Sequence, residues 1–272
     1  MPVPDPKPCR ILALANQKGG VGKTTTAVNL AAALALRHKV LLLDLDPQGN
    51  ASTGLGLPRS DRAPGSHALL TEGRPLAEVT RRTAIANLSV VPADPDLAGA
   101  ELELADMEGR EARLRRALTS GSEALRGVEW VLLDCPPSLG LLTLNALVAA
   151  DSVLVPLQTE FYALEGVSQI VQTLERVRRG FNPALRLEGI VLTMFDRRNN
   201  LSEAVAGDVR GVFGEQVFDT VIPRNVRVSE APSHGMPVTL YDPRSPGAEA
   251  YAKLGTELVR RHRARLRQGA PA

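Results

Sequence analysis

The sequence is short of cysteine, of aromatic side chains and of net charge, and each shortage excludes something. Cys9 and Cys135 are the two cysteines in 272 residues, too few for a disulfide framework or a four-thiolate zinc site. Aromatic residues make up 3% of the chain, which leaves little for a base-stacking platform on single-stranded nucleic acid. A formal net charge of +2 excludes an acidic or basic polyelectrolyte. The apolar stretch from Leu139 to Leu157 has spanning length but holds Asn145 and Asp151. It therefore reads as a helix, a turn and a strand rather than a bilayer span. Met1 to Pro8 is proline-rich without the apolar run of a secretory leader, and a cytoplasmic protein is expected.

What is present is an ordinary globular composition, 44% hydrophobic and 23% charged, in a chain long enough to bury roughly three quarters of its unfolded surface. Short apolar runs recur at Arg10–Ala15, Val40–Leu45, Leu88–Val91, Trp130–Leu133, Val153–Leu157, Ile190–Met194 and Thr220–Ile222. Helical patterns fall between them at Thr24–Arg37, Leu97–Leu118, Leu139–Ala149, Gly166–Arg179 and Leu201–Phe213. Continuous apolar strands alternating with helices predict an α/β fold, its mostly parallel central sheet covered by helices on both faces in three layers. Pro58–Ser66 and Tyr241–Gly247 read as loops. The organisation expected is one domain over residues 10–258, preceded by a disordered segment 1–9 and followed by a basic tail 259–272. From Tyr251 onward Lys253, Arg260, Arg261, Arg263, Arg265 and Arg267 face Glu257 alone, a balance that suggests an anionic partner.

The segment Gln17–Lys18–Gly19–Gly20–Val21–Gly22–Lys23–Thr24, continued by Thr25, fits the phosphate-loop pattern G-x-x-x-x-G-K-[ST] except at its first position, where Gln17 replaces glycine. A strand precedes it and a helix follows. Glycines let successive amides turn inward into an anion-binding nest, and the helix start adds its positive dipole end. Lys23 is placed for the β- and γ-phosphates of a nucleoside triphosphate. The Thr24 hydroxyl is a hard oxygen ligand suited to Mg²⁺. Lys18 is a second lysine at the front of the same loop.

Asp44 and Asp46 close the second apolar run in LLLDLDPQGN. Residues two apart on a strand share a face, so both point at the phosphate site if the strand persists. Asp44 is assigned to the hydration shell of Mg²⁺ and Asp46 to orienting the attacking water, and the reverse assignment stays open. Asp134 closes another run in WVLLDCPPSLG, the Walker B pattern of a magnesium-holding carboxylate. Pro136 and Pro137 stop the strand after it. Arg197, Arg198, Arg224 and Arg227 follow two apolar runs in loops, where they can form either a phosphate-binding stripe for duplex DNA or ordinary surface salt bridges.

KGGVGKTTTAVNLA, LLLDLDPQGNAS, LLDCPPSLG, LTMFDRRNNLS and VIPRNVRVSEAPSHGMPV together resemble the ParA/Soj family of chromosome- and plasmid-partitioning ATPases, within the wider ParA/MinD group. The resemblance runs from about Arg10 to Leu258 and matches the short chromosomal type. It implies a P-loop NTPase fold and the deviant Walker A loop KGGxGK[ST], whose front lysine, here Lys18, reaches the phosphates held by the other subunit of a homodimer. It further implies ATP and Mg²⁺ as cofactors and slow hydrolysis catalysed with Lys18, Lys23 and Asp46. Non-specific binding to double-stranded DNA, a nucleoid-associated location and a ParB/Spo0J-type partner that stimulates hydrolysis follow from it. Arg198 and Arg227 correspond to DNA-surface arginines of the family, with Arg197 and Arg224 as neighbours, and Pro223 to Asn225 lie near the adenine in relatives.

Three rivals share parts of this pattern. A MinD-like membrane ATPase ends in a helix that inserts aromatic or leucine side chains, whereas this chain ends LGTELVRRHRARLRQGAPA without an aromatic, and firm insertion is not expected. An iron–sulfur reductase needs cluster-ligating cysteines, and neither Cys9 nor Cys135 is placed for one. An ATP-dependent ligase needs a substrate constellation, and none is evident.

Overall fold

Alternation along each strand sets the architecture. The computed structural model describes residues 9–160, 162–267 and 269. In chain order it contains β1 (Arg10–Leu14), α1 (Lys23–Ala35), β2 (Val40–Asp44), α2 (Asn50–Gly54), α3 (Leu76–Val79), β3 (Arg81–Arg82), β4 (Leu88–Val91), α4 (Ala100–Ala105), α5 (Arg113–Ser120) and β5 (Trp130–Asp134). It continues with α6 (Leu141–Ala149), β6 (Ser152–Gln158), α7 (Ala163–Gly180), β7 (Arg186–Thr193), α8 (Asn200–Phe213), α9 (Val226–Glu230), α10 (Val238–Tyr241) and α11 (Pro246–Arg267). The strands form one seven-stranded sheet in the order β3-β4-β2-β5-β1-β6-β7. Its pairings are parallel except that of β3 with β4.

Both faces of the sheet are covered. Leu12, Leu14, Leu42, Leu132 and Leu154 pack into one core with Leu30 and Leu34 of α1 and Tyr251, Leu254 and Leu258 of α11. Ala13, Leu43, Leu133, Val155 and Leu192 face the other way, against Leu104, Leu114, Ala146, Ile170 and Val205 of α4 to α8. Strands buried on both faces read as unbroken apolar runs, which is why they stand out in the sequence. β1 sits where the winding reverses, with β5 and β2 on one side and β6 and β7 on the other. Ligands of open parallel sheets bind in the crevice at such a switch point, beyond the carboxyl ends of the strands.

The structure departs from the expected elements at four places. Thr220–Ile222 forms no ladder strand. The amides of Phe218 and Ile222 bond to β7 carbonyls of Ile190 and Leu192 at 2.8 Å, but those of Asp219 and Thr220 donate to the Glu257 carboxylate at 3.0 and 2.9 Å. The helix expected over Leu97–Leu118 is broken between α4 and α5, where Gly109 takes φ 60. β2 ends at Asp44, one residue early. The tail expected from residue 259 is, as far as Arg267, the last turns of α11 packed on the body. Of the expected disordered segment 1–9, residues 1–8 lie outside the described residues. Cys9 is half-buried, its thiol pushed up to about 12 by burial and by Asp151. No described helix is long and apolar enough to cross a membrane.

Candidate functional site

The loop after β1 is built as its spacing demands. Gly20 and Gly22 adopt left-handed φ of 76 and 87, which lets the backbone curl before α1 begins at Lys23. Two residues that the motif does not contain brace the curl. Asn16 donates to the Pro156 carbonyl at 2.8 Å and accepts from the Lys18 amide at 3.1 Å. Thr193, at the end of β7, donates to the Val21 carbonyl at 2.8 Å. The loop is thereby tied to β6 and β7. Gln17, Thr24 and Thr25 are half-buried and Val21 is buried, while Lys18, Gly19 and Gly20 face solvent.

The two lysines of the loop differ. Lys23 is buried, and its ammonium donates to the Lys18 carbonyl at 3.0 Å. Burial lowers its pKa, opposed by the charges of Asp134, Cys135 and Asp46. Lys18 is half exposed and forms an ion pair with Glu160, just past β6.

Three carboxylates converge beside Lys23. Asp44 and Asp134 are register partners at the carboxyl ends of β2 and β5. Asp44 is buried and accepts from the Ser52 amide at 2.8 Å, the Ser52 hydroxyl at 2.7 Å and the Asp46 amide at 3.3 Å. Burial pushes its pKa up to about 6 despite these donors. Because the Asp46 amide turns back onto Asp44, strand alternation does not orient Asp46. It is held by the turn, accepting from the Gln48 amide at 3.0 Å.

Both oxygens of the Asp134 carboxylate are buried with no well-formed hydrogen bond among the described residues, the nearby Thr24 hydroxyl being the one donor that stabilises its charge. Burial first, and then the charges of Asp44 and Asp46, raise its pKa well above the ordinary value, while Thr24 and Lys23 pull the other way. A buried carboxylate so poorly satisfied is costly unless a cation or water meets it. With the Thr24 hydroxyl nearby, this fits a hydrated magnesium ion held largely by nucleotide oxygens and water. It does not resemble an all-protein cage, and the described residues contain no cluster of three or more His, Cys, Asp or Glu side chains arranged as one. Cys135 is buried with its thiol pushed up by burial and Asp134, a setting that disfavours the thiolate a nucleophile or cluster ligand needs.

The arginines after β7 fall into two groups. The Phe195 amide bonds to Ile222 O and the Arg224 amide to Phe195 O, both at 3.0 Å, which lays Arg224 beside the 196–198 turn. Arg197, Arg198 and Arg224 are exposed there, with the Arg198 guanidinium paired to Asp196 through two contacts of 3.1 Å. Arg227, on α9, pairs with Glu230 at 2.9 Å and Asp242 at 3.4 Å. Pro223 bridges to Phe195, and the buried Asn225 Oδ1, which lies against Gly247, has no partner among the described residues.

Residues 9–187 match the family model described as an AAA domain. The chromosome partitioning protein ParA of Caulobacter vibrioides is 55% identical over 267 residues, covering 97% of this chain and 98% of that protein. The sporulation initiation inhibitor protein Soj of Bacillus subtilis is 50% identical over 251 residues, 92% of this chain and 98% of its own. Among solved structures, cobyrinic acid a,c-diamide synthase from Mycobacterium smegmatis with bound ADP and magnesium is similar with a TM-score of 0.81 at 38% identity, over 94% of this chain and 96% of that one.

Proposed function

This chain belongs to the ParA/Soj family of chromosome-partitioning ATPases, and we propose that it acts as an ATP-gated switch that pairs with a second copy of itself on DNA. The observation that carries the proposal is the convergence of Lys23, Thr24, Asp44, Asp46 and Asp134 on one braced loop, with Lys18 at its exposed lip. Lys23 and the loop amides hold the phosphates of ATP, with Pro223 to Asn225 near the adenine. Thr24, Asp44 and Asp134 would hold the magnesium ion, which supplies charge neutralisation at the β- and γ-phosphates when bound. Asp46, anchored by the Gln48 amide, orients the attacking water.

Lys18 cannot serve the phosphates of its own subunit while its ammonium rests on Glu160. In the proposed dimer it turns across the interface to the partner's γ-phosphate, where two buried triphosphates need a cation from each side. Hydrolysis removes that charge and releases the pair. Among the described residues no arginine finger reaches the site, so unassisted turnover is slow and a ParB-type partner accelerates it. Arg197, Arg198, Arg224 and Arg227 of both copies supply a sequence-independent phosphate contact to duplex DNA, which makes the protein nucleoid-associated. A membrane-positioning role is less well supported, because Leu266 is the large apolar side chain that α11 exposes, among arginines.

Fluorescence anisotropy on a labelled DNA duplex, with and without ATP and magnesium, tests the reading. Tight binding with ATP that weakens with ADP supports it. Equal binding in both states overturns it.

A further inference from the structure

The C-terminal cations divide into two sets on α11. Arg261 and Arg265 turn inward: Arg261 bonds to Glu257 and to the Glu215 and Val217 carbonyls over the ring of Phe218, and Arg265 holds Glu188. Arg260, Arg263 and Arg267 stand on another stripe, three and four residues apart, and are exposed. Arg37, just past the end of α1, joins them. Among the described residues Arg37, Arg263 and Arg267 make no ion pair, and Arg260 reaches the exposed Asp219 at 3.3 Å.

These guanidinium groups rim a groove of about 680 Å³ between α1 and α11 that no carboxylate lines. Its floor is Ala33, Leu34, Gly255 and Val259. A Cβ at Gly255 would lie 3.3 Å from that of Ala33, so the two helices meet closely and leave the space above them open. Leu36 stands at the lip, 74% exposed. A second cavity of about 280 Å³ adjoins the groove, sharing His38, Val259 and Arg263, but it is lined also by Arg10 and the carboxylates of Glu129 and Asp151, so the acidic ligand is confined to the groove itself.

We propose that this groove docks an acidic amphipathic peptide segment of a partner protein. Its apolar side chains would lie along the floor of Ala33, Leu34, Gly255 and Val259. Its carboxylates would meet Arg37, Arg260, Arg263 and Arg267. The charge of the rim selects an anion, and the apolar floor with Leu36 selects a peptide over a phosphodiester backbone, which has no apolar face to bury there. The concave shape disfavours a flat lipid surface. Arginines three and four residues apart on one helix stand about 5–6 Å from each other, matching carboxylates at the same spacing on a facing helix. The stripe from Ala252 to Arg267 is about 22 Å long, room for roughly four turns. The groove lies at the opposite end of α1 from the phosphate loop, about 20 Å away, so its occupancy does not depend on the nucleotide reading.

The test is anisotropy of a fluorescein-labelled helical peptide of about 15 residues, with leucine on one face and glutamate on its flanks, titrated into the nucleotide-free full chain. A counterpart with lysine for glutamate, a DNA duplex and phosphatidylserine vesicles are the other arms. The proposal expects the glutamate peptide to bind and the lysine peptide not to. Arg263→Glu with Arg267→Glu should weaken binding at least roughly tenfold, as loss of close charge pairs does. Leu36→Ala should weaken it by about threefold, and both variants should keep the parent's melting temperature within a few degrees. Absence of binding, equal binding of the two peptides, or an unaffected arginine variant overturns the proposal. So does binding of DNA or vesicles that is lost in the arginine variant while the peptide's is not.

Discussion

The ammonium of Lys18 is paired in its own subunit with the carboxylate of Glu160, while the Lys18 carbonyl accepts from the ammonium of Lys23. One residue thus holds the buried phosphate lysine through its backbone and has its own charge occupied through its side chain. Forming the proposed dimer requires breaking the Lys18–Glu160 pair. Both side chains are about half exposed, and such pairs are worth about 0.2–1 kcal/mol. Glu160→Ala is therefore expected to favour the ATP-bound dimer by about 1.4- to fivefold per subunit. Sedimentation velocity across a protein dilution series reads this directly, and an unchanged or weaker dimer counts against it.

Lys23→Ala removes the one cation buried in the loop. Nucleotide affinity should fall at least tenfold, following a loss of about 1.5–3 kcal/mol for a charge-assisted hydrogen bond. Isothermal titration with Mg-ADP checks this, and unchanged affinity would contradict the role given to Lys23.

Asp46→Ala should leave ATP binding intact and stop hydrolysis, because Asp46 is anchored through Gln48 and lies outside the Ser52 contacts that fix Asp44. Phosphate release and nucleotide titration separate the two. If instead ATP binding is lost and the Asp44 variant keeps binding without turnover, the two roles are reversed.

Glu188 sits 2% exposed between Arg10 and Arg265. Burial alone would raise its pKa, but the Arg265 hydrogen bond and the charges of Arg265 and Arg10 outweigh that and hold it below the usual value. A depressed carboxylate pKa means that the unfolded chain binds more protons across this range, so stability rises with pH there. The contribution is complete above about pH 4.3 and is lost as pH falls through the lowered folded-state value. Glu188→Gln leaves Arg10 buried beside a neutral partner and should cost about 3–5 kcal/mol at pH 7. The cost should shrink as the pH of urea melts falls through the lowered folded-state value, and a pH-independent cost would contradict the assignment.

The phosphate loop, the aspartates and the sheet were legible because their chemistry fixes residue type and spacing within a few positions. Lys18 to Thr24 needs no long-range information, and strands buried on both faces stand out as apolar runs. What stayed hidden depends on approaches between distant parts of the chain. Ser52 matters because it folds back onto Asp44, Thr193 because it reaches the loop from β7, and Glu160 because it stands beside Lys18. The end of α11 was hidden for a different reason. Its inward stripe runs Tyr251, Leu254, Leu258, Arg261 and Arg265 at helical spacing. The last two members are cations, so the apolar period ends where the helix does not, and residues beyond Leu258 read as a solvated tail.

Arg227→Glu tests the DNA surface apart from the dimer. Duplex affinity should drop at least tenfold while ATP-dependent pairing persists. The slope of log affinity against log salt should also become shallower by about 0.9 for each DNA phosphate that the variant no longer neutralises. Anisotropy across a salt series provides both readings, and a slope identical to that of the parent would place the DNA surface elsewhere.

The most direct test of the account is the mass of the protein in sedimentation equilibrium with a non-hydrolysable ATP analogue and magnesium, beside the Lys18→Ala variant under the same conditions. The account predicts a dimer for the parent and a monomer for the variant, with nucleotide bound in both. A parent that stays monomeric when saturated, or a variant that pairs equally well, contradicts the claim that lysines exchanged across the interface hold the two copies together.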